Sequence, residues 1–167
     1  MDARSRTAFA LLMLGGLGSF FPRLRHLPHG SWWFFLLFTF NWVYDAGAYF
    51  GGRWWGRTKL VPSISPGKTV EGLVTGLAAN ALVAAAIFPA VLPAGMGLTR
   101  PILIPLAVAL GLLAQAGDLV ESLIKRWSGR KDSAGIIPGH GGVLDKVDSS
   151  FFNAPVLYAV ACWLMSL

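Results

Sequence analysis

The sequence predicts an all-α fold, a polytopic bundle of transmembrane helices with two cytoplasmic polar loops. Apolar residues make up 54% of the chain and charged residues only 13%, whereas soluble globular proteins carry about 25% charged residues. The mean hydropathy is +0.58, and the apolar residues fall into five segments separated by polar stretches. Because a soluble chain this apolar could not cover its surface, we expect one membrane-embedded unit, residues 1–167, in contact with the lipid bilayer.

The first two apolar segments are expected to enter and cross the membrane. At about 1.5 Å per residue, residues 7–21 reach about 22 Å across a hydrocarbon core of roughly 30 Å. This segment is therefore expected to be extended, oblique or the remnant of a longer one. Residues 31–50 are long enough for a span and rich in Trp and Phe, and they carry two polar residues, Asn41 and Asp45.

The remaining apolar segments complete the predicted bundle. Residues 72–93 are rich in Ala, Val and Gly, which favours close packing of helices in a membrane. Residues 101–120 begin at a proline, a favoured first position of a helix, and end in a cluster of polar residues. Residues 151–167 form the last apolar segment. We expect a membrane-spanning helix from each of the three.

The distribution of the basic residues predicts the orientation of the chain. Of the 14 Lys and Arg residues, eleven lie near the N-terminus or in the polar stretches 51–71 and 121–150. The other three are Arg23, Arg25 and Arg100. Because Lys and Arg concentrate in cytoplasmic loops, the N-terminus and both long polar loops are expected in the cytoplasm.

The net charge of +6 does not indicate nucleic-acid binding. The basic residues lie where membrane topology would place them, and the pattern leaves no separate soluble domain to hold nucleic acid. Cys162 is the only cysteine, which excludes a disulfide within the chain and argues against a zinc cluster. We therefore expect no nucleic-acid partner and no cysteine chemistry.

The first polar stretch has the composition of a phosphate-binding loop. Its glycines allow close approach of the backbone, and its basic and hydroxyl side chains match those that contact phosphates. The candidates for substrate contact are Arg53, Ser65, Lys68, Thr69 and Glu71. The stretch is not a Walker A loop, because Pro62 stands where that motif requires its first glycine. A positive-inside loop with turn glycines is the alternative interpretation.

The second polar stretch, residues 117–150, holds five of the eight carboxylates of the chain. If the fourth helix continues beyond the membrane edge, four polar residues share one of its faces: Asp118, Glu121, Ser122 and Lys125. If the fifth helix begins early, Asp145 and Asp148 also share a face. Oxygen ligands from two segments predict an Mg²⁺ site, and the nearby basic residues predict phosphoryl-type chemistry on a lipid.

Several of these polar residues also have a purely structural interpretation. Glu121 and Lys125 could form an ordinary i,i+4 pair on a solvated helix. Asp148 could cap the N-terminus of the fifth helix, and His140 could be a hydrogen-bonded turn residue. Their combination beside two predicted spans favours a functional role, because charges near hydrocarbon are costly.

A long motif resembles the signature of the phosphatidate cytidylyltransferases, also called CDP-diacylglycerol synthases. It occupies residues 122–148 and reads S-L-I-K-R-W-S-G-R-K-D-S-A-G-I-I-P-G-H-G-G-V-L-D-K-V-D. The family signature reads S-x-x-K-R, four residues, K-D, and then P-x-H-G-G-x-x-D-R-x-D, and every fixed position but one is matched. Upstream, D-A-G-A-Y-F-G-G-R and S-P-G-K-T-V-E-G resemble the cytoplasmic segment of that family, so the similarity covers roughly residues 41–155.

The resemblance implies transfer of CMP from CTP to phosphatidate, giving CDP-diacylglycerol and pyrophosphate, with Mg²⁺ as cofactor, alone or with a second cation. The implied metal ligands are Asp118, Asp145, Asp148 and Ser122. The implied catalytic residues are the same three aspartates with Lys125 and Arg126. The implied substrate contacts are Asn41, Asp45, Arg53, Ser65, Lys68, Thr69, Glu71, Ser122, Lys131, Asp132, His140 and Lys146, with Asn41 and Asp45 lining a polar cavity.

Two departures from the family pattern bear on activity. Lys146 stands where the family has arginine, and lysine keeps the charge but loses the planar bidentate fork. Family members also carry several more N-terminal helices, so this chain is expected to be a compact member, a fragment, or a form that completes its bundle by association, for example as a homodimer. The alternative functions are the same chemistry on an isoprenoid ether lipid phosphate, and a non-catalytic membrane subunit.

Overall fold

The computed structural model describes Ala8 and residues 11–127 and 144–166. This part of the chain is mostly helical, as the sequence predicts. A π-helical turn (Leu11–Gly16) and a 3-10 turn (Leu17–Ser19) lead into the first regular helix. The elements then follow in the order α1 (Phe20–His26), α2 (Gly30–Trp55), β1 (Lys59–Val61), β2 (Ser65–Thr69), α3 (Val70–Ala86), α4 (Phe88–Val91), a 3-10 turn (Ala94–Met96), α5 (Arg100–Trp127) and α6 (Leu144–Met165).

The first apolar segment, which is too short for an ordinary span, is not one regular α-helix. Its described residues form π and 3-10 turns as far as Ser19, and α1 begins only at Phe20. Gly15 and Gly16 have no atom within 4 Å of the position that a Cβ would occupy. Because glycine also loses much backbone entropy in a helix, little in this stretch favours regular helical geometry.

The core lies where α2 is surrounded by α3, α5 and α6. Three fully buried residues of α2, Leu36, Leu37 and Phe40, belong to the same cluster as Leu110 of α5 and Leu157 of α6. In a bilayer such side chains stabilise the bundle through close van der Waals packing, because lipid is as apolar as they are. The central position of α2 therefore fixes where its polar residues lie relative to the other helices.

Helices α2 and α3 approach each other closely through glycines. A Cβ added at Gly51 would lie 1.8 Å from Thr75 Oγ1, and one at Gly76 would lie 2.8 Å from the Tyr44 ring. The Thr75 hydroxyl also donates a hydrogen bond to the carbonyl oxygen of Gly47 at 3.0 Å. The close packing predicted from the Gly-rich third segment is confirmed, and the contact leaves no room for larger side chains.

Both conditional predictions about helix length in the second polar stretch are confirmed. Helix α5 continues beyond residue 120 to Trp127, so Asp118, Glu121 and Ser122 lie on one continuous helix. Helix α6 begins at Leu144, well before residue 151. The helices that flank the stretch therefore carry much of its polar sequence.

The first polar stretch departs from the all-α prediction, because it contains a two-stranded antiparallel hairpin. Lys59 pairs with Thr69 and Val61 pairs with Ser65. Pro62 and Pro66 lack the backbone N–H that a helix interior requires, which favours a turn and an extended strand here. Helix α2 also continues to Trp55, into the stretch predicted as loop, because Gly51 still packs against α3.

Two helical stretches of the described chain are long and apolar enough to cross a membrane. They are Val70–Val91 and Arg100–Ile124, both with a mean hydropathy of 1.9, and Ser149–Met165 is a shorter apolar helix. These stretches agree with the predicted third, fourth and fifth segments. The predicted number of spans and the cytoplasmic orientation stay predictions.

Candidate functional site

A cavity of about 700 Å³ opens between α2, β2, α3, α5 and α6. Its volume lies in the range of small-molecule sites, roughly 300–1,000 Å³. Both polar stretches and the second apolar segment contribute to its wall, together with residues that the sequence did not single out. The lining residues are Tyr44, Asp45, Ala48, Tyr49, Gly52, Arg53, Gly67, Lys68, Thr69, Gly72, Leu73, Gln115, Asp118, Glu121 and Ser149.

An ion pair joins the two polar stretches at this cavity. Lys68 of β2 places its Nζ 2.5 Å from Asp118 Oδ2 on α5. The Lys68 side chain is 18% exposed and that of Asp118 is 42% exposed. Opposite charges are thus close together on an accessible wall, where a phosphate could take the place of the carboxylate beside Lys68.

Helix α5 presents the polar face that the sequence predicts. Ser122, one turn after Asp118, donates a long hydrogen bond of 3.4 Å from its Oγ to Asp118 Oδ1. Glu121 also lines the cavity. The side chain of Lys125, the fourth member of this face, lies outside the described part of the chain.

Helix α2 supplies one side of the cavity from three successive turns. Asp45, Tyr49 and Arg53 all line it, at the i, i+4 and i+8 spacing of one helix face. The Arg53 guanidinium donates a hydrogen bond to the Tyr49 hydroxyl at 3.0 Å. This bond holds one basic group at the wall, where it adds a second positive charge to that of Lys68.

Two buried polar residues, Tyr44 and Gln115, also line the cavity, and the sequence analysis did not predict either of them. The Tyr44 hydroxyl donates a hydrogen bond of 2.6 Å to Gln115 Oε1, and both residues are buried. Gln115 Nε2 has no hydrogen-bond partner among the described residues. The spacing held a signal for Gln115, because it lies three residues before Asp118 and so shares its helix face.

The hairpin is joined to α3 by a capped turn at the cavity edge. Thr69 is the N-cap of α3, and its Oγ1 accepts a hydrogen bond of 3.1 Å from the Gly72 N–H. Gly52 on α2 faces this turn, where an added Cβ would lie 3.1 Å from Thr69 Oγ1. The cap therefore holds the end of β2, which carries Lys68 and Thr69, in a defined position against α2.

Five predicted site residues lie away from the cavity wall in the described chain: Asn41, Ser65, Glu71, Ser122 and Arg126. Glu71 accepts hydrogen bonds of 3.1 and 3.2 Å from the Thr58 N–H and so braces the hairpin. Arg126 Nε donates to the carbonyl oxygen of Ile64 at the hairpin turn. The predicted placement of Asn41 on the cavity wall is corrected, because it is buried between α2 and α6.

Several predicted site residues lie outside the described part of the chain. Lys131, Asp132 and His140 belong to residues 128–143. The backbone of Asp145, Lys146 and Asp148 is part of α6, but their side chains are not described. Their predicted roles stay predictions.

The described residues fit a hard cation by the type of their donor atoms. Asp118 and Ser122 offer a carboxylate and a hydroxyl oxygen, which are the ligand types that Mg²⁺ prefers. Among the residues that the structure describes, no group of three or more His, Cys, Asp or Glu side chains is arranged to hold a metal. A complete ligand set would therefore require donors from outside the described side chains, where Asp145 and Asp148 are the predicted ones.

The chain is similar to known proteins over most of its length. The profile of the cytidylyltransferase family matches residues 2–164. A protein named phosphatidate cytidylyltransferase from Bacillus subtilis (strain 168) is 42% identical over 150 residues, which is 89% of this chain and 55% of that protein. Proteins of the same name from Haemophilus influenzae and Staphylococcus saprophyticus are 45% and 40% identical, over 85% and 94% of this chain and 51% and 58% of their own lengths. The chain thus spans about half the length of the curated relatives it matches.

Proposed function

The chain belongs to the cytidylyltransferase family, and from that premise we propose that it transfers CMP from CTP to phosphatidate, forming CDP-diacylglycerol and pyrophosphate. The observation that carries the proposal is the pairing of Lys68 with Asp118 in a cavity between apolar helices. A basic group for phosphate and a carboxylate for a cation stand side by side there. The names of the bacterial relatives support the choice of phosphatidate as acceptor.

The reaction needs positioning and charge neutralisation more than proton transfer. A phosphate oxygen of phosphatidate attacks the α-phosphorus of CTP, the bond from that phosphorus to the oxygen bridging to the β-phosphate breaks, and pyrophosphate leaves. The attacking phosphate is already ionised at neutral pH, so no general base is required. The protein therefore has to hold two polyanions in contact and offset their charge.

The described wall provides groups for this task. Lys68 and Arg53 supply positive charge from the hairpin and from α2, and the Thr69 turn brings the backbone of β2 close to the cavity. Lys68 exchanges the Asp118 carboxylate for a phosphate oxygen of the nucleotide when CTP binds. Asp118 is thereby released for its second role.

That second role is to hold Mg²⁺. Asp118 and Ser122 would ligate the cation together with Asp145 and Asp148, and a bound divalent cation would offset charge on the phosphates of CTP. The chemistry of the Asp118–Ser122 pair supports this assignment, since both donors are oxygens and Asp118 lines the cavity. A second cation would need further donors of the same kind.

We further propose that the five apolar segments form a bundle in the bacterial inner membrane with both polar stretches in the cytoplasm, where CTP is available. Two stretches of suitable length and hydropathy and the bias of basic residues support this topology. Association into a homodimer is a further expectation, since the Ala- and Gly-rich helix α3 has the small residues that allow close helix contacts in a membrane, whereas lipid can cover exposed side chains such as Leu82 and Trp42.

A transfer assay with the purified chain in detergent tests the proposed function. With α-labelled CTP, dioleoyl phosphatidate and Mg²⁺, label is expected in CDP-diacylglycerol, with one pyrophosphate released per lipid labelled. Label only in an isoprenoid ether lipid would replace the proposed acceptor with that lipid. No lipid-dependent release of pyrophosphate with either acceptor would identify a non-catalytic subunit and reject the proposal.

Lys68→Met is expected to lower kcat/KM for CTP about 10- to 100-fold, because it removes a charge-assisted contact to phosphate. Lys59→Met is the matched control, since Lys59 is an exposed lysine in β1 of the same hairpin. This variant removes the same charge and should change kcat/KM by no more than about twofold. Equal losses in the two variants would mean that the net charge of the hairpin matters, and not a contact of Lys68.

A further inference from the structure

We propose that Asn41 is a positioning residue, which with Ser150 and Asn153 forms a buried polar clamp between α2 and α6. Asn41 is 4% exposed, Ser150 1% and Asn153 0%. Asn41 Nδ2 donates a hydrogen bond of 2.7 Å to Ser150 Oγ, and Asn153 Nδ2 donates to Asn41 Oδ1. The catalytic consequence of the clamp rests on the proposed function, whereas the clamp itself does not.

The clamp defines the position of α6 because its buried polar groups have few alternative hydrogen-bond partners. A buried amide without a partner costs several kcal/mol, of the order of 2–7, so sliding or rotation of α6 against α2 is disfavoured. Asn41 uses both ends of its amide, one as donor to Ser150 and one as acceptor from Asn153. Apolar contacts are less directional and would tolerate small shifts between the two helices.

The clamp lies next to the cavity wall on both helices that it joins. On α6, Ser150 follows Ser149, which lines the cavity and is 7% exposed. On α2, Asp45 lies one turn after Asn41 and also lines the cavity. A shift of α6 at the clamp would therefore move a part of the wall.

The other side of α6 is held against α5 beside Asp118. A Cβ at Gly117 would lie 2.7 Å from Phe152 Cδ2 and 3.3 Å from Ser149 Cα, so the helices touch at this point. The start of α6 is thus fixed between α2, which carries Asp45, and α5, which carries Asp118. The first turns of α6 contain Asp145 and Asp148 in the sequence, the residues predicted to complete the cation site.

Loss of the clamp should therefore weaken cation binding more than nucleotide binding. Removal of groups that orient metal ligands typically costs 10- to 100-fold in metal affinity or activity. Lys68 and Arg53 come from β2 and α2, and the ion pair of Lys68 with Asp118 does not involve α6. The expected signature is a raised Mg²⁺ requirement with a nearly unchanged KM for CTP.

Asn80→Ala is the matched control for Asn41→Ala. Asn80 is also an asparagine with no exposed surface, and its Nδ2 donates to the Ala107 carbonyl oxygen at 3.1 Å between α3 and α5. It does not line the cavity. Both variants remove a buried amide from the bundle, so both are expected to lower the thermal unfolding temperature, which makes general destabilisation visible in the control.

The experiment compares the two variants by transfer assay and by hydrogen exchange of the full chain in detergent without CTP or Mg²⁺. In Asn41→Ala, half-saturating Mg²⁺ is expected to rise about 10-fold, with KM for CTP within about twofold, and amides of residues 144–153 are expected to exchange faster. Asn80→Ala should show neither effect. Ser150→Ala, which removes one bond with little change in volume, should show the same pattern more weakly and serves if Asn41→Ala does not fold.

The proposal is overturned if the Mg²⁺ requirement and the exchange at the start of α6 are the same in Asn41→Ala and Asn80→Ala. It is equally overturned if Asn41→Ala raises KM for CTP as much as it raises the Mg²⁺ requirement, since Asn41 would then act on the nucleotide. Wild-type protein without CMP transfer would reject the proposed function instead. The exchange comparison would still decide whether the clamp fixes α6.

Discussion

Asp118→Asn is expected to lower CMP transfer at saturating substrates by about a hundred- to a thousandfold while the protein stays folded. Asparagine has the size of aspartate but lacks its charge, so it is a much weaker ligand for a divalent cation and no longer balances Lys68. Asp118 is 42% exposed, and an ion pair in such a position contributes at most about 1 kcal/mol to stability. The unfolding temperature should therefore change little, and the loss should appear in the transfer of labelled CMP.

Asp118→Glu tests whether the position of the carboxylate matters in addition to its charge. Glutamate keeps the carboxylate but moves it outward by one methylene, so a loss of only about 10-fold is expected, accompanied by a higher Mg²⁺ requirement. If Asp118→Asn keeps more than about a tenth of wild-type transfer at the same Mg²⁺ concentration, then Asp118 is not a cation ligand. The Lys68–Asp118 pair would in that case be a purely structural contact.

Gly51→Ala is expected to destabilise the fold by about 1–3 kcal/mol or more, although alanine normally favours a helix over glycine. The new Cβ would lie 1.8 Å from Thr75 Oγ1 and 2.5 Å from Thr75 Cβ. Helices α2 and α3 must move apart to accept the new methyl group. This movement would also separate Arg53 from Thr69 in the cavity wall. Thermal unfolding in detergent should show a clear decrease in the unfolding temperature.

Gly16→Ala is the control for the intrinsic effect of adding a methyl group. Gly16 lies in a helical turn, and apart from its chain neighbours and the adjacent helix backbone no atom lies within 4 Å of the position of its Cβ. This variant should be neutral or slightly stabilising. Adding Thr75→Ala to Gly51→Ala removes the Oγ1 at 1.8 Å and the Cγ2 at 2.7 Å but keeps the Cβ at 2.5 Å, so it should recover part of the loss. A stable Gly51→Ala protein would contradict the close approach of the two helices.

The sequence predicted the helical class and the polar face of α5 for physical reasons that act locally. Apolar runs of about 20 residues can hardly form anything but helices in a bilayer, because their backbone groups must be satisfied internally. The charges of residues 117–150 stood out because they are costly beside such runs. The i, i+3, i+4 spacing of Asp118, Glu121 and Ser122 predicted a shared face, which the continuation of α5 to Trp127 provides.

The hairpin and its supports could not be predicted in this way. The composition of the first polar stretch made Glu71 a candidate for substrate contact, and the family resemblance implied a catalytic role for Arg126. In the structure Glu71 accepts hydrogen bonds from the Thr58 N–H, and Arg126 donates to the Ile64 carbonyl oxygen. A polar side chain can form hydrogen bonds either with the backbone of a hairpin or with a substrate. The residue type alone does not decide between these two partners.

The sequence by itself determined the composition of this protein: apolar helices, a basic glycine-containing stretch, and carboxylates near the facing ends of two helices. Only the tertiary structure decided which of these groups share a cavity. Asn41 and Asp45 are four residues apart on one face of α2, yet Asn41 is buried against α6 while Asp45 lines the cavity. Helical periodicity fixes the direction of a side chain, but the packing of α6 against α2 decides that Asn41 meets Ser150 while Asp45 faces an opening.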